Sequence, residues 1–148
     1  MRRGITFIEI IITIAIIALL AGIYFMVANP AAQLAGARNT QRQFDLQAIG
    51  NSIRANYADT GNESFTCSAG TLPASTTIMK SAAGGYNIGS CLVPTYMPNL
   101  PIDPIASSAY YNSPTDYNTG FAISQNASGV ITLSAPNAEL GKTISVTR

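Results

Sequence analysis

A single carboxylate within a long apolar run is the first feature of this sequence that could do chemistry. Glu9 is the only charged residue between Ile5 and Ala28, in the run ITFIEIIITIAIIALLAGIYFMVA. A carboxylate inside such a helix costs about 2.5–3.5 kcal/mol on membrane-insertion scales, and less near a helix end. Glu9 therefore either stays hydrated at an interface or meets a positive group brought beside it in an assembly.

Two cysteines and two aspartates are further candidates for a site. Cys67 and Cys91 are predicted to form a disulfide in an exported domain, the alternative being two free thiols. Asp103 and Asp116 are weak candidates for a calcium site, and capping of a turn or helix is the alternative. No other metal or cofactor is expected, because the sequence shows no nucleophile, phosphate loop or metal cluster.

Composition argues against two classes of protein. Only 10% of the residues are charged and none is histidine, the side chain most used for acid–base catalysis near neutral pH and for binding transition metals. After Ala28 the chain carries six Lys or Arg and six Asp or Glu. No basic surface is therefore expected to bind DNA by neutralising phosphates. We expect neither an enzyme nor a DNA-binding protein.

The apolar run is long enough to cross a membrane. As a helix, residues 5–28 would span about 36 Å, against a hydrocarbon core of about 30 Å. Arg2 and Arg3 precede the run and the next cation is Arg38, so the N-terminus is predicted to stay inside and the remainder to be exported. A cleaved secretory signal and a plain single-span anchor are the alternatives.

Beyond the apolar run, a second helical segment is predicted over residues 29–58. Pro30 interrupts the helix because it lacks a backbone donor, and Gly22 is a weaker point, so the stretch between them could unwind in a packed assembly. Apolar residues then recur at helical spacing and predict a face that packs on a sheet: Leu46, Ile49, Ile53 and Tyr57.

Polar residues continue the same helix face towards its N-terminal side. Arg42 and Arg38 occupy it, and Arg42 is placed to pair with Asp45 one turn away. The globular part is therefore expected to contact the helix only from about Leu46. Residues 33–45 would then face other subunits or solvent.

The C-terminal third predicts an antiparallel sheet. Apolar residues alternate with polar ones in three runs, with a short strand expected near Tyr110 and Tyr111 and a turn at Asn126-Ala127-Ser128-Gly129: Phe121 and Ile123, Ile131 and Leu133, Ile144 and Val146. Together these features predict an α+β fold, a long N-terminal helix packed on a small sheet of three or four strands.

The N-terminal residues resemble a known leader. Arg2-Arg3-Gly4 followed by Ile5-Thr6-Phe7-Ile8-Glu9 and a long Ile/Ala/Leu run is similar to the class III leader of type IV pilins and of the pseudopilins of type II secretion. The resemblance implies cleavage after Gly4 by a prepilin peptidase and N-methylation of Ile5. It also implies that Glu9 pairs with the free amine of a neighbouring subunit.

The resemblance continues loosely and also has departures. Residues 37–61 resemble the second half of the long pilin helix. Residues 100–104, then 110–111 and 121 onwards, resemble the loop and C-terminal strands of the smaller pilins and of the major pseudopilin. The first mature residue would be Ile5 rather than the usual phenylalanine, and the cysteines precede the strands rather than bracketing a C-terminal loop. The tryptophan–glycine pair of pseudopilins is absent, since the chain has no tryptophan, which makes a secretion role less favoured.

The predicted organisation follows from these features. Residues 1–4 are the leader, 5–28 the membrane and filament-core helix, 29–58 the amphipathic helix and 59–148 the exported head. The resemblance implies a homo-oligomeric filament outside the cell, stored first in the cytoplasmic membrane. Its implied partners are the prepilin peptidase, an inner-membrane platform and an assembly ATPase. A pseudopilin and a non-polymerising, membrane-anchored binding protein are the alternatives.

Overall fold

The computed structural model describes residues 4–61, 65 and 67–148. Arg2 and Arg3 of the leader lie outside the described residues, as does Asn62-Glu63-Ser64, which fits the N-glycosylation triplet. The chain divides into two compact units, Met1–Ala35 and Gly36–Arg148.

The first helix, α1, is apolar throughout and spans Phe7–Ala28. None of its residues is buried within the chain. It is the one helix in the described part of the chain that is long and apolar enough to cross a membrane. Its length and composition agree with the predicted membrane segment.

Asn29 separates α1 from the next helix, α2, which spans Pro30–Thr60. Asn29 adopts a left-handed conformation with φ of 38°, and its backbone carbonyl accepts hydrogen bonds from the amides of Ala32 and Gln33. Proline at the first position of α2 needs no backbone partner there, so the new helix begins at low cost. Gly22, the weaker predicted break, lies inside α1, and the interruption is confined to Asn29.

The end of α2 lies two to three residues beyond the predicted one. The helix continues to Thr60 and is followed by Gly61 at φ +58°. Glycine adopts this conformation without the steric cost of a Cβ atom and ends helices for that reason.

In the described part of the chain, five strands form one antiparallel sheet, one more than the largest predicted number. They are β1 (Thr77–Lys80), β2 (Tyr110–Ser113), β3 (Asp116–Gln125), β4 (Ile131–Ser134) and β5 (Ser145–Thr147). The sheet order is β1-β3-β4-β5, and β2 also pairs with β3. The strand that the sequence did not reveal is β1. It lies with a short helix, α3 (Gly89–Leu92), in the Gly/Ser/Thr-rich connection between α2 and β2.

The core lies between α2 and the sheet. Leu46, Ile49 and Ile53 are fully buried there, and Tyr57 packs against the same cluster. The sheet supplies alternate residues of β3, β4 and β5, and the connection supplies others: Phe121, Ile123, Leu133, Val146, Met79, Ile88 and Leu92. The predicted apolar face of the helix therefore packs on the predicted strands.

The contact between α2 and the head extends further back along the helix than predicted. Asn39 and Arg42 are buried inside the head, so residues 33–45 do not form a wholly free face. The prediction that the head contacts the helix only from Leu46 is wrong, because polar residues continue the buried stripe by forming ion pairs.

Candidate processing and assembly site

The bond between Gly4 and Ile5 is exposed and precedes the first helix. Gly4, Ile5 and Thr6 have no regular secondary structure, and α1 begins only at Phe7. The Ile5 side chain is 74% exposed. Exposed, irregular backbone is the preferred substrate of peptidases, so this bond has the local structure that cleavage requires.

Glu9 lies in the first turn of α1. Its Oε2 atom accepts a hydrogen bond of 3.4 Å from the backbone amide of Thr6, the residue that caps the helix. A negative charge near a helix N-terminus is stabilised by the unpaired amides there. The carboxylate remains exposed, so a positive group from outside the chain can still reach it.

The large apolar side chains of α1 are exposed, and none of them is buried by the described residues. Large side chains along its length are 41–87% exposed, from Ile11 at the low end to Met26 at the high end. Exposed apolar surface on this scale marks a contact with membrane or with another protein. Either environment would place Glu9 at the end of a helix that is removed from water.

The head contains a cluster of ion pairs, which fixes it to α2. Arg42 has no exposed side-chain surface, and its Nε donates to Asp103 Oδ2 at 2.8 Å. Its Nη2 donates to the other carboxylate oxygen at 3.1 Å. The same guanidinium donates through Nη1 to Asn39 and to Glu139, so one arginine joins three segments of the chain.

Arg38 completes this ion-pair cluster from the partly exposed side. Its Nε donates to Glu139 Oε2 at 2.8 Å, and its Nη2 donates to Oε1 of the same carboxylate. Asn39 holds the backbone of Glu139 by donating to its carbonyl and accepting from its amide. No buried side-chain nitrogen or oxygen among the described residues lacks a hydrogen-bond partner.

The electrostatics of the cluster follow from these contacts. The hydrogen bonds from Arg38, and then those from Arg42, lower the pKa of Glu139 from 4.5 to about 2. The hydrogen bond to Asp103 raises the pKa of Arg42, which therefore stays charged. The cluster is a set of ionised groups that compensate one another inside the head.

The predicted pairing of Arg42 with Asp45 is wrong. Asp45 instead accepts a hydrogen bond from Gln41 Nε2 at 2.8 Å. Arg42 turns inward because Asp103 and Glu139, 61 and 97 residues away in the sequence, offer it carboxylates within the head. The sequence did carry one signal of this cluster, namely two arginines on the core-facing stripe of α2.

The two calcium candidates are engaged in separate contacts. Besides binding Arg42, Asp103 accepts from the amides of Ile105 and Ala106 and so stabilises a turn. Asp116 accepts from Tyr110 Oη and Asn112 Nδ2 across the β2–β3 hairpin. Within the described part of the chain, no group of three or more His, Cys, Asp or Glu is arranged for a metal ion.

The remaining candidates have structural contacts. Cys67 and Cys91 form the predicted disulfide, with Cα atoms 5.3 Å apart. Tyr117 is fully buried, whereas Tyr110 is 40% exposed, so the tyrosines form an edge of the core. The Asn126 side chain accepts from the amides of Ser128 and Val130, which is the turn chemistry predicted for that position.

Comparison with known proteins finds a family match at the N-terminal segment. Residues 1–25 match the family model described as the prokaryotic N-terminal methylation motif, the class III leader of type IV pilins and pseudopilins. No curated protein and no solved structure matches the chain. The matched residues include Gly4, Ile5 and Glu9.

Proposed function

We propose that this chain is the structural subunit of a type IV pilus-like filament outside the cell. Its N-terminal methylation motif makes it a prepilin-like protein, stored in the membrane through α1 before assembly. A prepilin peptidase would cleave after Gly4 and methylate the new N-terminus at Ile5. The observation that carries the proposal is an uncovered apolar helix that holds one carboxylate within that motif.

Assembly would bury the α1 helices of many copies against one another. The free energy comes from apolar surface that leaves water or lipid and packs against protein. Glu9 would pair with the Ile5 amine of a neighbouring subunit, since neither charge is tolerated alone in a filament core of low dielectric constant. The pairing would fix the axial step at which each subunit enters.

Assembly requires other components. The sequence shows no phosphate loop, so the energy for extension would come from an external ATPase acting on a membrane platform. Twitching motility, adhesion and DNA uptake are the roles that such a filament could serve. The balanced charge after Ala28 disfavours DNA uptake.

Processing is tested by mass spectrometry of the N-terminus of the membrane-bound protein. We expect a chain that begins at N-methylated Ile5, and an uncut chain in Gly4→Val, where a branched side chain replaces the glycine before the cut. Gly22→Ala is the matched control, because nothing lies within 4 Å of the Cβ atom it adds. It should be processed like the wild type.

Two results would favour the alternatives. An uncut wild-type chain would indicate a membrane-anchored binding protein that does not polymerise. A processed chain that forms no surface filaments, and whose deletion stops protein secretion, would indicate a pseudopilin.

A further inference from the structure

An open cleft lies beside the outer half of α2, where β4 begins and β5 ends. Its volume is about 550 Å³, and its lining combines two arginines with apolar and small residues: Arg54, Tyr57, Ala58, Gly129, Ile131 and Arg148. That volume falls in the range of small-molecule sites. The processing and assembly residues lie elsewhere in the chain.

Among the described residues, no Asp or Glu side chain pairs with either guanidinium group of this cleft. No Asp or Glu side chain lines it, and the ion pairs among the described residues involve neither Arg54 nor Arg148. Within the described residues, the Arg148 side chain donates one hydrogen bond, of 3.3 Å, to the neighbouring carbonyl of Thr147. Two like charges are thus gathered at one site with their donors available.

The position of Arg148 is fixed by the fold. Its backbone exchanges two hydrogen bonds with Ile131, of 2.8 and 2.9 Å. Its side chain then crosses α2 over Gly50, where an added Cβ atom would lie 3.3 Å from Cγ of Arg148. Glycine in a helix interior costs about 1 kcal/mol relative to alanine. Here it leaves room for Arg148 one turn before Arg54.

Tyr57 adds a third donor. Its hydroxyl oxygen accepts a hydrogen bond from Gln125 Nε2 at 3.2 Å, so the hydroxyl proton is free to be donated into the cleft. The tyrosine ring and the exposed Ala58 supply apolar surface beside the charges, with the buried Ile131 beneath them. The cleft therefore offers donors for an anion next to a surface for an uncharged body.

We propose that this cleft binds a phosphate monoester, its phosphate held by Arg54 and Arg148 and its carbon body lying on Tyr57 and Ala58. Arginine suits this group because its planar fork can donate two hydrogen bonds to one phosphate. A nucleic acid strand would need an extended basic track, and two cations in one cleft do not provide one. The phosphate is carried by a small solute or by a lipid headgroup.

The test uses the full chain in a neutral detergent, with ¹⁵N-arginine labelling so that each Nε–H group gives its own NMR signal. Glycerol 3-phosphate represents the small solute and dihexanoyl phosphatidic acid the lipid source. We expect saturable shifts of the Arg54 and Arg148 signals with at least one of the two probes. The probe that binds more tightly identifies the source of the phosphate.

Matched variants separate a site from general attraction between charges. Arg54→Gln and Arg148→Gln should each weaken binding at least tenfold, whereas Lys80→Gln, which removes an equal charge on β1, should leave it unchanged. Shifts that rise linearly without saturation for both probes would overturn the proposal. So would an equal loss in all three variants, and so would tight binding of a single-stranded oligonucleotide in place of both probes.

Discussion

Arg42 is a charged residue with no exposed side-chain surface. Its contacts account for the charge, because Asp103, Glu139 and Asn39 together receive its donors. Removing one partner of a buried ion pair is costly, since the other charge is left without compensation. The head should therefore be more sensitive at Asp103 than at exposed carboxylates.

Replacement of Asp103 provides the first prediction. Asp103→Asn should lower the free energy of unfolding of the head by about 3 kcal/mol, at the low end for a buried pair because Glu139 still faces Arg42. Asp45→Asn, on α2 near Arg42, is the matched control, because its carboxylate accepts from Gln41. It should change the free energy of unfolding by less than about 0.5 kcal/mol. Denaturant unfolding followed by tyrosine near-UV circular dichroism measures both, and equal losses would contradict the assigned pairing.

Acid should weaken the contribution of Glu139. Its pKa is lowered to about 2 in the folded protein, from an ordinary value of 4.5. A lowered pKa stabilises the fold above pH 4.5, and this stabilisation is lost as the pH falls towards 2. The difference in melting temperature between wild type and Glu139→Gln should therefore shrink across that interval. A difference that stays constant with pH would argue against the ion pairs with Arg38 and Arg42.

Among the helices and strands, apolar periodicity predicted those elements whose buried residues recur at regular spacing. Period-two alternation placed β4 and much of β3, and the stripe from Leu46 placed the buried face of α2. The four-residue β1 escaped because one buried residue, Met79, gives no alternation and the strand depends on pairing with β3. The ion-pair cluster escaped because its partners are far apart in sequence and meet only through the fold.

The disulfide closes the loop that contains β1. Cys67 and Cys91 are 24 residues apart, and closing a loop of that size stabilises by about 3.5 kcal/mol in the chain-entropy model. The double variant Cys67→Ser, Cys91→Ser should lose about that much stability in the same unfolding assay. Dithiothreitol should lower the stability of the wild type and leave the variant unaffected. A loss under about 1 kcal/mol would show that the loop contributes little.

In the whole molecule, the two units differ in what they bury. The unit of residues 36–148 satisfies its own buried polar groups and encloses its own core. The helix α1, in the other unit, buries nothing within the chain. The sequence predicted an apolar membrane helix over residues 5–28, and α1 agrees with it. It could not specify what covers α1, because that information lies outside this chain.

We propose that Glu9 admits each processed subunit to a filament. The measurement is a count of surface filaments by electron microscopy in cells that express Glu9→Leu, with mass spectrometry of the N-terminus of the membrane-bound protein. In Glu9→Leu we expect a chain that is cut after Gly4 and at least a tenfold loss of filaments. Thr13→Val, which introduces an apolar side chain on the same helix, is the control and should assemble normally. Wild-type numbers of filaments in Glu9→Leu, or filaments whose subunits keep residues 1–4, would contradict it.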